Sequence, residues 1–243
     1  MKSRSLAKHI LPAALLVVSA AIFTCAQDLP ENKHNARPDR PAVPSTTVDN
    51  KIETVKYFYE FFQPKFYIKH ILLQHDASGR GTITFERLNE DVPVVDPIAL
   101  SPAALTRILS LWEALQFLDS ETNYQSNQQF AHLGTMRLGM ERSNRKRVAE
   151  FNWTHNDNAA ALVSEYRRAA DQAILIFDIS VARENQPLNA PKLMELLESM
   201  LKRSALSDPQ QLVALPQDMT TDEHIPLIAR NHAVRLLKLI NKK

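Results

Sequence analysis

Cysteine and glycine are what this chain has least of, and each scarcity removes a class of chemistry. Cys25 is the single cysteine, so no internal disulfide can form, and a product cut after Ala26 has no thiolate for a metal site; stability has to come from packing. Only Gly79, Gly81, Gly134 and Gly139 occur. No GxGxxG, GxxxxGK(S/T) or GxSxG can be assembled from them, and those motifs need glycine where a backbone turns sharply or approaches a phosphate. Nucleotide binding and an α/β-hydrolase site are therefore not expected. Neither HxxxH nor HExxH is present, which removes the helical zinc motifs. No charge of one sign dominates either. The 29 lysines and arginines stand against 27 acidic residues, and three of the basic but none of the acidic ones precede Gln27, so the remainder carries −1. With no dominant basic run, nucleic acid and anionic lipid are not expected partners.

What is present begins with the first 27 residues. Lys2, Arg4 and Lys8 lead into the apolar run Ile10 to Thr24, followed by Thr24-Cys25-Ala26. A basic start, a short apolar stretch and a small-x-small end read as a secretory signal peptide over 1–26, with cleavage after Ala26. Export to the periplasm or the extracellular space is the expectation. A membrane-anchored form arises only if Cys25 is lipidated or the leader stays uncleaved. Phe23 is bulky for lipoprotein processing, and the apolar run is short for a span of about 20 residues.

Residues 27–48 are polar and carry Pro30, Pro38, Pro41 and Pro44, the composition of an extended tether. An α+β domain is expected over 49–186 and a helical segment packed on it over 187–243. Val55 to Phe62 is dense in aromatic and β-branched residues, which predicts a strand; a helix placing Ile52, Val55, Tyr59 and Phe62 together is the alternative. Phe66 to Gln74 and Thr82 to Leu88 form a first hairpin about the turn Asp76 to Gly81. Met136 to Met140 and Ala149 to Trp153 form a second about a polar turn at Arg142 to Lys146. Ser101-Pro102 opens a helix whose stripe is Leu105, Ile108, Leu109, Trp112 and Leu115. Asn156 or Asp157 caps a long helix to about Arg183. The expected fold is an antiparallel sheet of two hairpins, with Val55–Phe62 as a possible fifth strand, two helices on one face, and a C-terminal helical tail.

The tail divides into three helices. Leu193, Leu196, Leu197, Met200 and Leu201 recur at helical spacing; Asp208-Pro209 opens a short piece ended by Pro216; Thr220 and Glu223 form a capping box before a last helix to about Ile240. The segment Ile225 to Ile240 resembles the inner helix of a HEAT-type repeat. That resemblance implies a helical hairpin docked on the main domain, because such repeats need neighbours to bury their core.

Four groups of residues invite a chemical reading. Asp76, Ser78 and Gly81, with Ile83, resemble an EF-hand calcium loop, yet Arg80 and Arg87 stand where anionic ligands belong; a glycine-assisted hairpin turn is expected and no metal. His155 beside Asp157, with Glu150 upstream, is the best acid–base candidate, against the simpler reading that this is a helix cap. His70 and His75 fall on opposite faces of a regular strand, so they and His132 share no metal without a bulge. Arg142, Arg145, Lys146 and Arg147 read as a solvated turn. No cofactor is expected. The function these readings support is a non-catalytic extracytoplasmic interaction or envelope-associated module with a protein partner or envelope component; the alternative is a hydrolase using His155 with Asp157 or Glu150.

Overall fold

A computed structural model of the chain describes residues 54–242. The leader expected at 1–26, Cys25 and the proline-rich stretch at 27–48 lie outside the described residues. The fold class is α+β. Six strands form one antiparallel sheet: β1 (Val55–Phe62), β2 (Ile68–Asp76), β3 (Arg80–Arg87), β4 (Val94–Ala99), β5 (Thr135–Arg142) and β6 (Arg145–Phe151), in the order β4-β3-β2-β1-β5-β6. Val55–Phe62 is thus a strand and the centre of the sheet. It pairs with β2 on one side and β5 on the other, which its alternating buried and exposed residues permit.

Two helices cover one face. Helix α1 (Pro102–Ala114) starts at Ser101, whose side chain accepts from the Ala104 amide at 3.1 Å, and α2 (Asp157–Asn185) starts at Asn156, which accepts from the Ala159 amide at 2.9 Å. Asn156 rather than Asp157 is the cap. Tyr57, Tyr59, Phe61, Leu73, Ile83, Phe85 and Leu138 from the sheet bury against Ile108 and Trp112 of α1 and Leu162 and Tyr166 of α2. A second core begins where this one ends. Leu175 and Ile179, farther along α2, pack with α3 (Ala190–Lys202), α4 (Ala214–Met219) and α5 (Leu227–Ile240).

Four details depart from expectation. Strand β4 has no counterpart among the expected elements; Pro97 lies within it, opposite Thr82, tolerated because β4 is an edge strand whose outer side needs no amide donor. Strand β6 ends at Phe151, and Trp153 lies beyond it against the ring of Phe130 at 5.5 Å. Pro216 does not stop its helix but sits buried within α4, in the first turn where its missing amide costs nothing. Thr220 and Glu223 do not cap α5. Thr220 Oγ1 donates back to the Gln217 carbonyl at 2.8 Å, Asp222 accepts from the His224 amide at 3.1 Å, and α5 starts after Pro226.

Of the basic residues of the β5–β6 hairpin, Arg142, Arg145 and Lys146 are exposed as a solvated turn requires, while Arg147 is half-buried. Two residues, Ser143 and Asn144, make the reversal, with Ser143 at φ 54°. Strand alternation then points Arg145 and Arg147 to the helix side. Arg147 donates to the carbonyls of Phe117 and Thr122, each at 2.6 Å, and lies over the Phe117 ring at 4.7 Å. Arg145 donates to the Leu118 carbonyl at 2.7 Å and to Asp119 at 2.6 Å. Together they hold the connection after α1 onto the sheet.

One buried polar chain links the layers. The Trp112 indole N–H donates to the Tyr166 hydroxyl at 2.9 Å, that hydroxyl donates to His75 Nε2 at 2.8 Å, and His75 Nδ1–H donates to the Asp76 carbonyl at 2.7 Å. A carbonyl only accepts, which fixes the tautomer. Burial pushes the His75 pKa below its usual range, against the raising influence of the Asp76 carbonyl and carboxylate. The unfolded chain therefore takes up the proton first on acidification. His75 contributes its full stability above pH about 6.5, and that contribution falls as pH drops toward the folded-state pKa by up to about 1.4 kcal/mol per pH unit. In urea titrations at pH 7, 6 and 5, His75→Gln should flatten part of the decline; an unchanged slope would exclude His75 as its source. For the second core, Leu197 is fully buried, so Leu197→Asp should lower unfolding free energy by about 3 kcal/mol or more. A loss under about 1 kcal/mol would mean that Leu197 is not enclosed.

Candidate functional site

The structure does not assemble the acid–base candidates. His155 and Asp157 are both exposed at the start of α2, and among the described residues no hydrogen bond or ion pair joins His155 to Asp157 or Glu150. Glu150 instead faces Arg137 across the β5–β6 pair, 3.5 Å from its Nε.

The Asp76 turn is organised from within. Asp76 Oδ1 accepts from the Ser78 amide at 2.8 Å, the Ser78 hydroxyl at 2.6 Å and the Arg80 amide at 3.2 Å. The hydroxyl bond from Ser78, aided by the backbone amides, holds its pKa below the ordinary carboxylate value. Gly79, at φ 79°, supplies the left-handed residue of the turn; a side chain there would also meet Leu100 at 3.2 Å. Gly81, the position aligned with the EF-hand glycine, lies in β3 opposite His75. No group of three His, Cys, Asp or Glu at metal-binding spacing exists among the described residues.

His70 and His75 do separate to opposite faces. His75 is buried, while His70 lies on the helix-free face between two carboxylates, with Nε2 3.0 Å from Glu60 and Nδ1 3.0 Å from Glu86. Glu86 also meets Lys69 at 3.3 Å, and Glu60 meets Arg137 at 2.8 Å. The His70 bond, with Lys69, keeps the Glu86 pKa below the usual range. Both imidazole nitrogens are thus engaged. Around this chain the face has an ordered pattern. Val148, Gly139 and Phe58 stand side by side on β6, β5 and β1. Phe58 lies flat over Gly139: a Cβ there would come within 1.9 Å of the ring. Lys146, Glu141 and Lys56 flank this apolar row on one side, and Glu150, Arg137 and Glu60 on the other.

A groove of about 400 Å³ opens on the opposite side of the protein's sheet, where β2, α2 and α3 meet. Its walls are apolar, formed by Ile68, Ile174, Leu175, Leu196 and Met200, with Tyr67 at the rim. Three charged residues line it. Asp178 is engaged by Arg87, and Arg203 makes one long bond of 3.4 Å to the Ser199 carbonyl. Asp171 has no hydrogen bond and no close ion pair among the described residues. Crowding by the surrounding protein pushes its pKa up, against the pull of Arg167, whose guanidinium lies 4.5 Å over the Phe61 ring. A concavity with apolar walls and an exposed carboxylate free of hydrogen bonds among the described residues, beside Arg203, has the composition of a ligand pocket. Sequence reading missed it because Asp171 is one polar position among many on α2; only the packing of α3 makes it part of a groove.

No protein-family model matches this chain, and no curated protein is similar enough to lend it a function. No described helix is long and apolar enough to cross a membrane.

Calcium supplies a direct check on the Asp76 turn. With Asp76 Oδ1 already accepting three hydrogen bonds and Arg80 in the loop, millimolar calcium should leave the melting temperature unchanged, because an ion that binds only the native state must stabilise it by mass action. A dose-dependent rise abolished by Asp76→Ala would establish a calcium site.

Proposed function

We propose that this protein is a non-catalytic interaction module acting outside the cytoplasm, and that the groove between β2, α2 and α3 receives an apolar group carrying a cationic end from its partner. The observation that carries this reading is the Asp171 carboxylate, exposed and without a hydrogen bond among the described residues, beside the apolar walls of a groove whose other charged residues are Arg203 and the Arg87-paired Asp178. Asp171 is exposed at the groove, so a cation arriving with an apolar body can reach and pair with it while burying more of Leu196 and Tyr67. The leader over 1–26 supports the extracytoplasmic setting. His155, Asp157 and Glu150 are exposed and not joined to one another, with Glu150 turned to Arg137, and so lend nothing to a hydrolytic alternative.

Calorimetric titration with n-octylammonium, n-octanol and n-octanoate tests the groove with matched apolar tails. Octylammonium should bind tightest, and Asp171→Asn should weaken it about tenfold while leaving octanol within about twofold. Equal affinity for all three, or no effect of Asp171→Asn in a variant with unchanged melting temperature, would overturn the assignment.

A further inference from the structure

The pattern on the helix-free sheet face points to a second ligand that is independent of the groove. Three neighbouring strands each carry opposite charges on either side of one apolar position. On β1 these are Lys56, Phe58 and Glu60; on β5, Glu141, Gly139 and Arg137; on β6, Lys146, Val148 and Glu150. One flank of the apolar row therefore reads plus, minus, plus, and the other minus, plus, minus. A two-fold rotation about an axis lying along that row exchanges the flanks. It sets Lys56 over Glu60, Glu141 over Arg137 and Lys146 over Glu150, each twice, with Val148 and Phe58 meeting their own copies at the centre.

We propose that this face is a homodimer interface and that its occupant is a second copy of the chain, related by that two-fold axis. The strands of the two copies run antiparallel, within the roughly 30° that sheet twist imposes on face-to-face packing. A concavity of about 390 Å³ runs along the flank of Lys56, Glu141 and Lys146 and continues past Asp76 and Arg80, which the rotation sets under Leu72 and Thr84 of the other copy. The dimer needs the whole face. The whole six-stranded face, five interstrand spacings by one strand length, gives roughly 600 Å² per copy, or roughly 1,200 Å² in total, at the lower end of stable interfaces, of which the three charge-matched strands supply about half. Charges of both signs on each flank also discriminate: sliding one copy by a strand sets like charges together.

Sedimentation equilibrium of the purified protein over a concentration series tests this. A reversible monomer–dimer equilibrium that weakens with added salt is expected. Lys146→Glu places like charges together at two symmetry-related points and should raise the dimer dissociation constant about tenfold. The swap Lys146→Glu with Glu150→Lys restores opposition in both places and should return the constant to within about threefold of the parent. Val148→Asp should abolish the dimer, and all of these surface variants should keep the parent's circular dichroism. A strictly monomeric parent, or a dimer indifferent to Lys146→Glu and Val148→Asp, would overturn the proposal.

Discussion

One oxygen atom, the hydroxyl of Tyr166, fixes how the layers of this protein meet. It accepts from Trp112 of α1 and donates to His75 of β2, while its own ring lies on α2 and stacks on Tyr59 of β1 at 5.5 Å with planes 2° apart. Every polar group in that chain is buried, and leaving any one unpaired costs about 1–3 kcal/mol. Hydrophobic contact alone would let α1 and α2 slide over the sheet at small cost. The hydrogen bonds do not, because they join atoms at fixed positions on three elements.

Pinning α2 at Tyr166 has a consequence for the rest of the chain. A helix of 29 residues is about 44 Å long, whereas an eight-residue strand spans about 26 Å, so α2 outruns the sheet it covers. Its far end carries Leu175 and Ile179, which need another cover, and α3 to α5 provide it. Polar contacts tie that cover back: Arg107 reaches Glu165 at 3.2 Å and the Ser207 carbonyl at 2.7 Å, Gln172 accepts from the Asp208 amide at 2.9 Å, and Arg183 meets Asp222 at 3.1 Å. The groove is the seam of this arrangement. Ile174 belongs to the first core, Leu175 and Met200 to the second, and Asp171 stands beside the junction. A seam between two cores is where packing is hardest to complete.

Local chemistry wrote most of the fold into the sequence. Alternation at Met136 to Met140, the cap at Asn156 and the serine–proline start at Ser101 each act within a few residues, so each could be read directly. Strand β4 could not be read so, because Val94-Val95-Asp96-Pro97 lacks clean alternation and contains a proline; pairing with β3 makes it a strand. The tail misled for a related reason: Thr220 and Glu223 have capping spacing, but Asp222 is held by Arg183 and takes the turn instead. The candidate sites were the least readable. Asp171 acquires meaning only against α3, and the charge rows across β6, β5 and β1 appear only once register aligns residues some 80 positions apart.

The same register bears on how the protein can assemble. An open sheet offers two edges and one free face, and unpaired edges are the usual route to uncontrolled strand addition. Here the edges are blunted. On β4, Pro97 removes an amide donor and Asp96 adds a charge, while β6 carries Arg145, Lys146 and Arg147 in succession. The face is built differently: its apolar row is only three strands wide, and charges of both signs border it. Edge pairing propagates without limit, because each added strand presents a new edge, whereas a two-fold face pairing consumes the surface that made it and stops at two. A sheet that discourages the first and provides self-matching charges for the second is suited to closed assembly.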